Sequence, residues 1–102
     1  MGNRIPILPS TAALRAFEAA ANHLSFTDAA VELGRTQGAV SHQIRELESR
    51  LGVSLFEREA RGISLTKPGR TYLPFVIEAL DRLRAGDDAL RPRTDDRVLT
   101  VS

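Results

Sequence analysis

The sequence predicts a mainly α-helical fold carrying one short two-stranded hairpin, and three observations predict it. Apolar residues recur at helical spacing, punctuated by helix caps and stops, between Ser10 and Leu51. The period drops to two between Gly52 and Thr66, then returns to steps of three and four from Lys67 to Leu90. At 102 residues and 42% hydrophobic content, the chain can bury one modest core, so one domain is expected. Four Phe, one Tyr, one Met and no Trp leave most of the packing to Ala and Leu.

Residues 1–9 hold two prolines and little periodicity, and read as a loose or extended lead-in. Ser10 or Thr11 can cap a first helix that turns Leu14, Phe17, Ala20, Ala21 and Leu24 toward the core. Ser25 and Asp28 stand at the spacing of a capping box and open a second helix. Its small apolar face, Ala29, Ala30 and Leu33, lets a neighbouring helix approach, and Gly34 marks its end. Thr36 can cap a third helix whose Val40, Ile44, Leu47 and Leu51 form the apolar side. Gln37, Gly38, Ser41, His42 and Arg45 then face outward near its N-terminus. Such a face suits a DNA major groove, which admits a helix and displays a hydrogen-bond code on base edges.

Beyond Gly52, Val53 and Leu55, then Ile63 and Leu65, alternate with polar residues, and Ala60-Arg61-Gly62 supplies the turn of a hairpin. A hairpin after two short helices makes residues 10–66 a winged helix-turn-helix. From Lys67 the pattern is helical again. Leu73, Val76, Leu80, Leu83 and Leu90 fall at alternating steps of three and four, with Asp87 at the one interrupted step. That is a coiled-coil-like seam on a helix of roughly 20 residues, about 30 Å long. Pro74 removes a backbone donor and is expected to bend it. An apolar seam beyond a small domain is best explained as a dimer interface, so residues 67–90 read as a linker and dimerisation helix. Residues 91–102 read as a hinge followed by a first strand, Arg97 to Ser102, of a further domain.

The formal net charge of +1 hides an uneven distribution. Residues 1–34 hold two Arg against three acids, and residues 71–102 five Arg against six. Residues 35–70 hold seven Lys or Arg against four acids, a local +3 on the third helix and the hairpin. Affinity for nucleic acid depends on where cations meet phosphates more than on the global sum. Absence of cysteine rules out disulfides and thiolate metal sites and fits a cytoplasmic protein. No apolar run approaches the ~20 residues needed to cross a bilayer, so no membrane partner is expected. His23 and His42 lack the carboxylate spacing of a metal site, and no phosphate loop or activated nucleophile appears. Neither an enzyme nor a cofactor is expected. Glu78, Asp81, Asp87 and Asp88 interleave with Arg82 and Arg84 as a solvated, salt-bridged flank.

The ordered motifs SFTDAA, TQGAVSHQIRELE, LGVSLFER and LTKPG resemble the N-terminal DNA-binding domain of LysR-type transcriptional regulators. With PILPSTAALRAFEAAANHLSFT upstream, the likeness is to the branch of glycine-cleavage and β-lactamase-gene regulators, and it runs from about Ile7 to Leu90. The resemblance implies sequence-specific binding of double-stranded DNA by a homodimer on an inverted-repeat operator. It implies higher oligomers in the full-length regulator, and a small-molecule effector bound only by a C-terminal domain that would follow this fragment.

Gln37 and Ser41 match family positions that face the major groove. Gln pairs bidentately with adenine, and a short hydroxyl contacts base or phosphate. His42 stands where many members carry Arg, and donates to base or phosphate more weakly and with pH dependence. Gly38 replaces a common proline, which lets the backbone approach DNA at a cost in helix stability. Thr27, Thr36 and Gln43 read as phosphate-positioning groups, the two Thr equally as helix caps. Arg45 reads as a backbone contact or a partner for nearby acids. Arg58 reads as a phosphate contact or a brace against Glu57 and Glu59. Arg61, at the wing tip, matches the basic side chain that family wings direct into the minor groove, where narrow A·T-rich tracts concentrate negative potential. Two rival readings are a helical protein-interaction module that no longer binds DNA, and an RNA-binding winged helix.

Overall fold

A computed structural model describes residues 8–92. Four helices and one hairpin follow in the order α1 (Thr11–His23), α2 (Phe26–Leu33), α3 (Gln37–Leu51), β1 (Phe56–Glu59), β2 (Gly62–Leu65) and α4 (Lys67–Leu90). The predicted winged helix-turn-helix is therefore present. The strand expected at residues 97–102, like most of the lead-in, lies outside the described residues.

Each helix begins on the hydroxyl residue its sequence supplies. Ser10 accepts from the N–H of Ala13, Ser25 from Asp28, Thr36 from Ala39 and Thr66 from Gly69, at 3.0–3.1 Å. A hydroxyl at this position satisfies one of the four N–H groups a helix start leaves unpaired. Gly34 and Gly52 close α2 and α3 in the left-handed region, at φ 67° and 75°. Leu24 closes α1 in the same region at φ 51°, without being glycine. That end turns its side chain out, so Leu24 is exposed rather than a core residue as expected.

The core lies where α1, α2 and α3 meet and where α4 crosses α1. Ala16, Ala19, Ala20, Ala29 and Ala30 are buried, and their short side chains allow the helices to close on one another. Aromatic rings link these layers. Phe17 lies 5.5 Å from Phe56 and 5.7 Å from Tyr72 between ring centroids, and Phe26 lies 5.6 Å from Phe56. Ring pairs at these separations contribute beyond the area they bury. An exposed His23 Nε2–Glu32 Oε1 contact at 2.7 Å ties the end of α1 to α2.

The hairpin pairs Phe56 with Leu65 and Glu59 with Gly62, leaving Ala60 and Arg61 as its two-residue tip. Gly62 takes φ 113°, a value side chains rarely adopt. The first strand begins at Phe56, not Val53, and the chain just before it, Ser54 and Leu55, is held by Glu48 of α3 instead.

α4 corrects the reading of the seam. It is continuously helical for 24 residues and passes through Pro74. Val76 and Leu80 are 2% and 3% exposed, packed in the chain's own core, and Leu73 is half-buried against it. Because α1 lies along this stretch of α4, these three seam positions face inward. Only Leu83 and Leu90 of the five stand out, at 55% and 85% exposure, joined by Phe75 at 66%. Arg84 fastens the same crossing from outside, reaching Glu18 of α1 at 2.9 Å and Asp81 at 2.8 Å. These two carboxylates raise the Arg84 pKa further, led by the hydrogen bond to Glu18. Arg91 meets Asp88 at 3.0 Å, so the flank is salt-bridged as expected. Among the described residues no helix is long and apolar enough to cross a membrane.

Candidate nucleic-acid interface

The exposed side of α3 follows from which of its residues the core consumes. Val40, Ile44 and Leu47 are buried, so the opposite strip is turned outward. Gln37, Ser41 and Arg45 stand one turn apart on one line, and Gly38 and His42 on the next. Gln37, Gly38, His42 and Arg45 are exposed, whereas Ser41 and Gln43 are half-buried. Nothing lies within 4 Å of where a side chain on Gly38 would begin, so the backbone there is open to an approaching surface. His42 Nε2 lies 3.4 Å from Glu46 Oε2 one turn on, a contact the sequence reading did not foresee.

Thr36 is engaged as the α3 cap through its Oγ1. Thr27 is exposed on the first turn of α2, but the cap there is Ser25. Arg61 is exposed at the wing tip. Arg58 is braced, though not by Glu57 or Glu59: its Cζ stands 5.3 Å from the centroid of the Phe26 ring. A guanidinium over an aromatic face is held by the ring quadrupole. Among the described residues neither Arg45 nor Arg58 is paired with a carboxylate.

The wing is aimed by two side chains the sequence reading passed over. Glu48 Oε2 accepts the N–H of Leu55 at 2.7 Å and of Phe56 at 3.3 Å, with the Ser54 hydroxyl 3.5 Å away. Thr66 Oγ1 donates to the Ser54 carbonyl at 2.5 Å while its own N–H reaches the Leu55 carbonyl at 3.0 Å. Between them, α3 and the start of α4 clamp both ends of the hairpin. Ser41, Arg45 and Arg58 consequently border one polar hollow of ≈230 Å³ between α3 and the wing. Thr27 and Arg61 do not border it. No group of three metal-ligating side chains occurs among the described residues.

Residues 11–70 match the profile described as bacterial regulatory helix-turn-helix protein, lysR family. The chain belongs to the lysR family. Among curated relatives of this lysR-family chain, the transcriptional activator AmpR of Pseudomonas aeruginosa is 58% identical over 78 residues, covering 76% of this chain and 26% of AmpR. The glycine cleavage system transcriptional activator of Escherichia coli K12 is 48% identical over 95 residues, covering 93% and 31%. The chain thus spans about a quarter to a third of these relatives, both described as transcriptional activators. Among solved structures, the CbnR DBD–DNA complex matches with TM-score 0.73 and 34% identity, over 78% of this chain and 93% of that one. The BenM DBD complex with benA site 1 DNA matches with TM-score 0.73 and 29% identity, over 91% and 99%. Both are mainly helical winged domains of the same family, as is this lysR-family chain.

Proposed function

We propose that the chain binds double-stranded DNA sequence-specifically, as the DNA-binding domain of a LysR-type transcriptional regulator. Residues 10–66 form the reading unit. Gln37 and Ser41 meet base edges in the major groove, with His42 beside them and Gly38 allowing close approach. Thr27, Thr36, Gln43, Arg45 and Arg58 flank this strip toward the phosphates, and Arg61 reaches the minor groove. The observation that carries this reading is the outward strip of α3, continuous with unpaired arginines on a wing that Glu48 locks to the same helix. Its near full-length likeness to two domains solved on DNA supports it.

A homodimer paired through the exposed apolar residues of α4, Phe75, Leu83 and Leu90, places two such strips on an inverted repeat. In longer regulators of this kind, higher oligomers and response to a small-molecule effector belong to the segment after residue 90. Salt-titrated binding to duplex DNA tests the proposal, since each neutralised phosphate steepens the loss of affinity with added salt. A steep loss on a duplex selected from a random library supports it. Absent or salt-independent binding would leave the protein-interaction module, and preference for an RNA duplex would leave the RNA reader.

Gln37→Ala should cost about 1–3 kcal/mol on the selected site and little on random duplex; equal losses on both would remove base readout. Arg61→Ala should weaken A·T-rich flanks selectively, and an unchanged flank preference would remove the wing assignment.

A further inference from the structure

Arg45 and Arg58 border the same polar hollow, come from different elements, and meet no carboxylate among the described residues. Arg58 is drawn toward the hollow by a ring that borders it. Its head lies over Phe26, a buried ring fixed by an edge-on contact with Phe56 at 5.6 Å and an interplanar angle of 88°. Among the described residues Glu48 is the only acid bordering the hollow, and one of its oxygens is turned to the wing backbone. Its Oε2 takes the N–H groups of Leu55 and Phe56, which fixes it toward the wing backbone.

Two guanidiniums against the single carboxylate of Glu48 leave this recess with a net positive charge, which an anion seated there would neutralise. Each offers a planar fork of donors suited to phosphate oxygens. Ser41, on the strip that faces base edges, stands on the rim of this recess. We propose that the hollow seats a single backbone phosphate of a DNA duplex, shared by Arg45 and Arg58. The inference rests on the DNA-binding reading above and adds that the helix and the wing grip one common phosphate. That grip fixes the register of α3 along the groove, because a phosphate contact positions the protein while Gln37 reads sequence.

The test scans a duplex selected by the chain, replacing one phosphate at a time with a neutral methylphosphonate. One position in each half-site should weaken the unaltered chain roughly tenfold, the size of a hydrogen bond to a charged group. Arg45→Ala and Arg58→Ala should each weaken binding to the ordinary duplex, and each should show a smaller response to that same position, a response the doubly substituted chain should lose. The doubly substituted chain should lower the slope of log affinity against log salt by about 0.9, one phosphate's worth, against about 1.8 for two separate contacts.

Loss of response at two different phosphates, or a slope change near 1.8, overturns the shared seat. Salt-dependent binding that no single neutral phosphate weakens overturns the seat alone; no duplex binding at all overturns the DNA-binding reading with it. The scan with unaltered protein does not depend on how the variants fold.

Discussion

The carboxylate of Glu48, on the fourth turn of α3, accepts the backbone N–H of Leu55 at 2.7 Å, so the position of the wing is governed by the same helix that faces outward. Glu48→Ala leaves the Leu55 and Phe56 N–H groups without this acceptor. The expected loss is about 1.5–3 kcal/mol, the range for hydrogen bonds to charged groups. At roughly 4–8 °C per kcal/mol for a domain this small, thermal unfolding resolves it readily. Glu48→Gln keeps an acceptor and should lose less. A melting temperature unchanged in Glu48→Ala would show the wing is held by Thr66 alone.

Gly69 is buried at the start of α4 with no room for a side chain. A Cβ there would collide with the carbonyl oxygen of Leu55 and lie 2.9 Å from Leu65 Cδ2. Gly69→Ala should destabilise by about 1–3 kcal/mol despite the better helix propensity of Ala, because the opposing atom is backbone. Denaturant unfolding measures this directly, and a stabilised variant would contradict the packing of α4 against the wing.

Gly38 is the opposite case, with open space where its side chain would be. Gly38→Ala should stabilise the chain by roughly 0.5–1 kcal/mol by relieving the entropy of glycine in a helix. The same change should weaken the selected duplex if the backbone approaches DNA closely there. A variant both more stable and equally tight would show that Gly38 has no part in the interface.

Leu80 and Leu83 separate the two uses of α4. Leu80→Asp should unfold the domain, since a charge enters the core at a site 3% exposed. Leu83→Asp should leave the melting temperature nearly unchanged and convert dimer to monomer in sedimentation. A dimer surviving Leu83→Asp would place the pairing surface elsewhere.

Burial raises the Tyr72 phenol above its ordinary value of 10.0. The folded chain therefore favours the neutral ring. Its contribution is fully present below about pH 10 and is lost as pH climbs through the raised folded value, because the unfolded chain releases its proton first. Tyr72→Phe should flatten the alkaline fall in melting temperature. Tyr72 is the only tyrosine, so phenolate absorbance follows it alone. Equal alkaline loss in both proteins would shift the cause to another group.

The helices were legible because their signals are local. Ser25, Thr36 and Gly34 act on N–H and C=O groups a few residues away and are legible at the right places; Ser10 is one of two caps the sequence offers, and Gly52 as the end of α3 is seen only in the structure. What escaped was long-range. Glu48 sits in a charged run that looks like a solvated face, and only the folded chain brings the Leu55 N–H to it. Arg58 had two acidic neighbours in sequence, yet the partner it took is a ring thirty-two positions earlier. Likewise the α4 period correctly found one apolar stripe, but no period states which part meets its own core and which is left outside. His42 and Gly38 are on the outward strip as read, and Glu46 beside His42 was missed because neighbouring acids on a helix carry no signal of their own.

Arg84 and the buried pair Val76 and Leu80 fasten α4 to α1 from two sides, while the helix runs on unbroken to Leu90. Helix and reading unit therefore share one packed junction. A turn of the outer end acts on α1, the helix against which α3 also packs. In a pair of such chains, the distance between the two strips is then a quantity set mechanically, by the angle at which the outer ends cross.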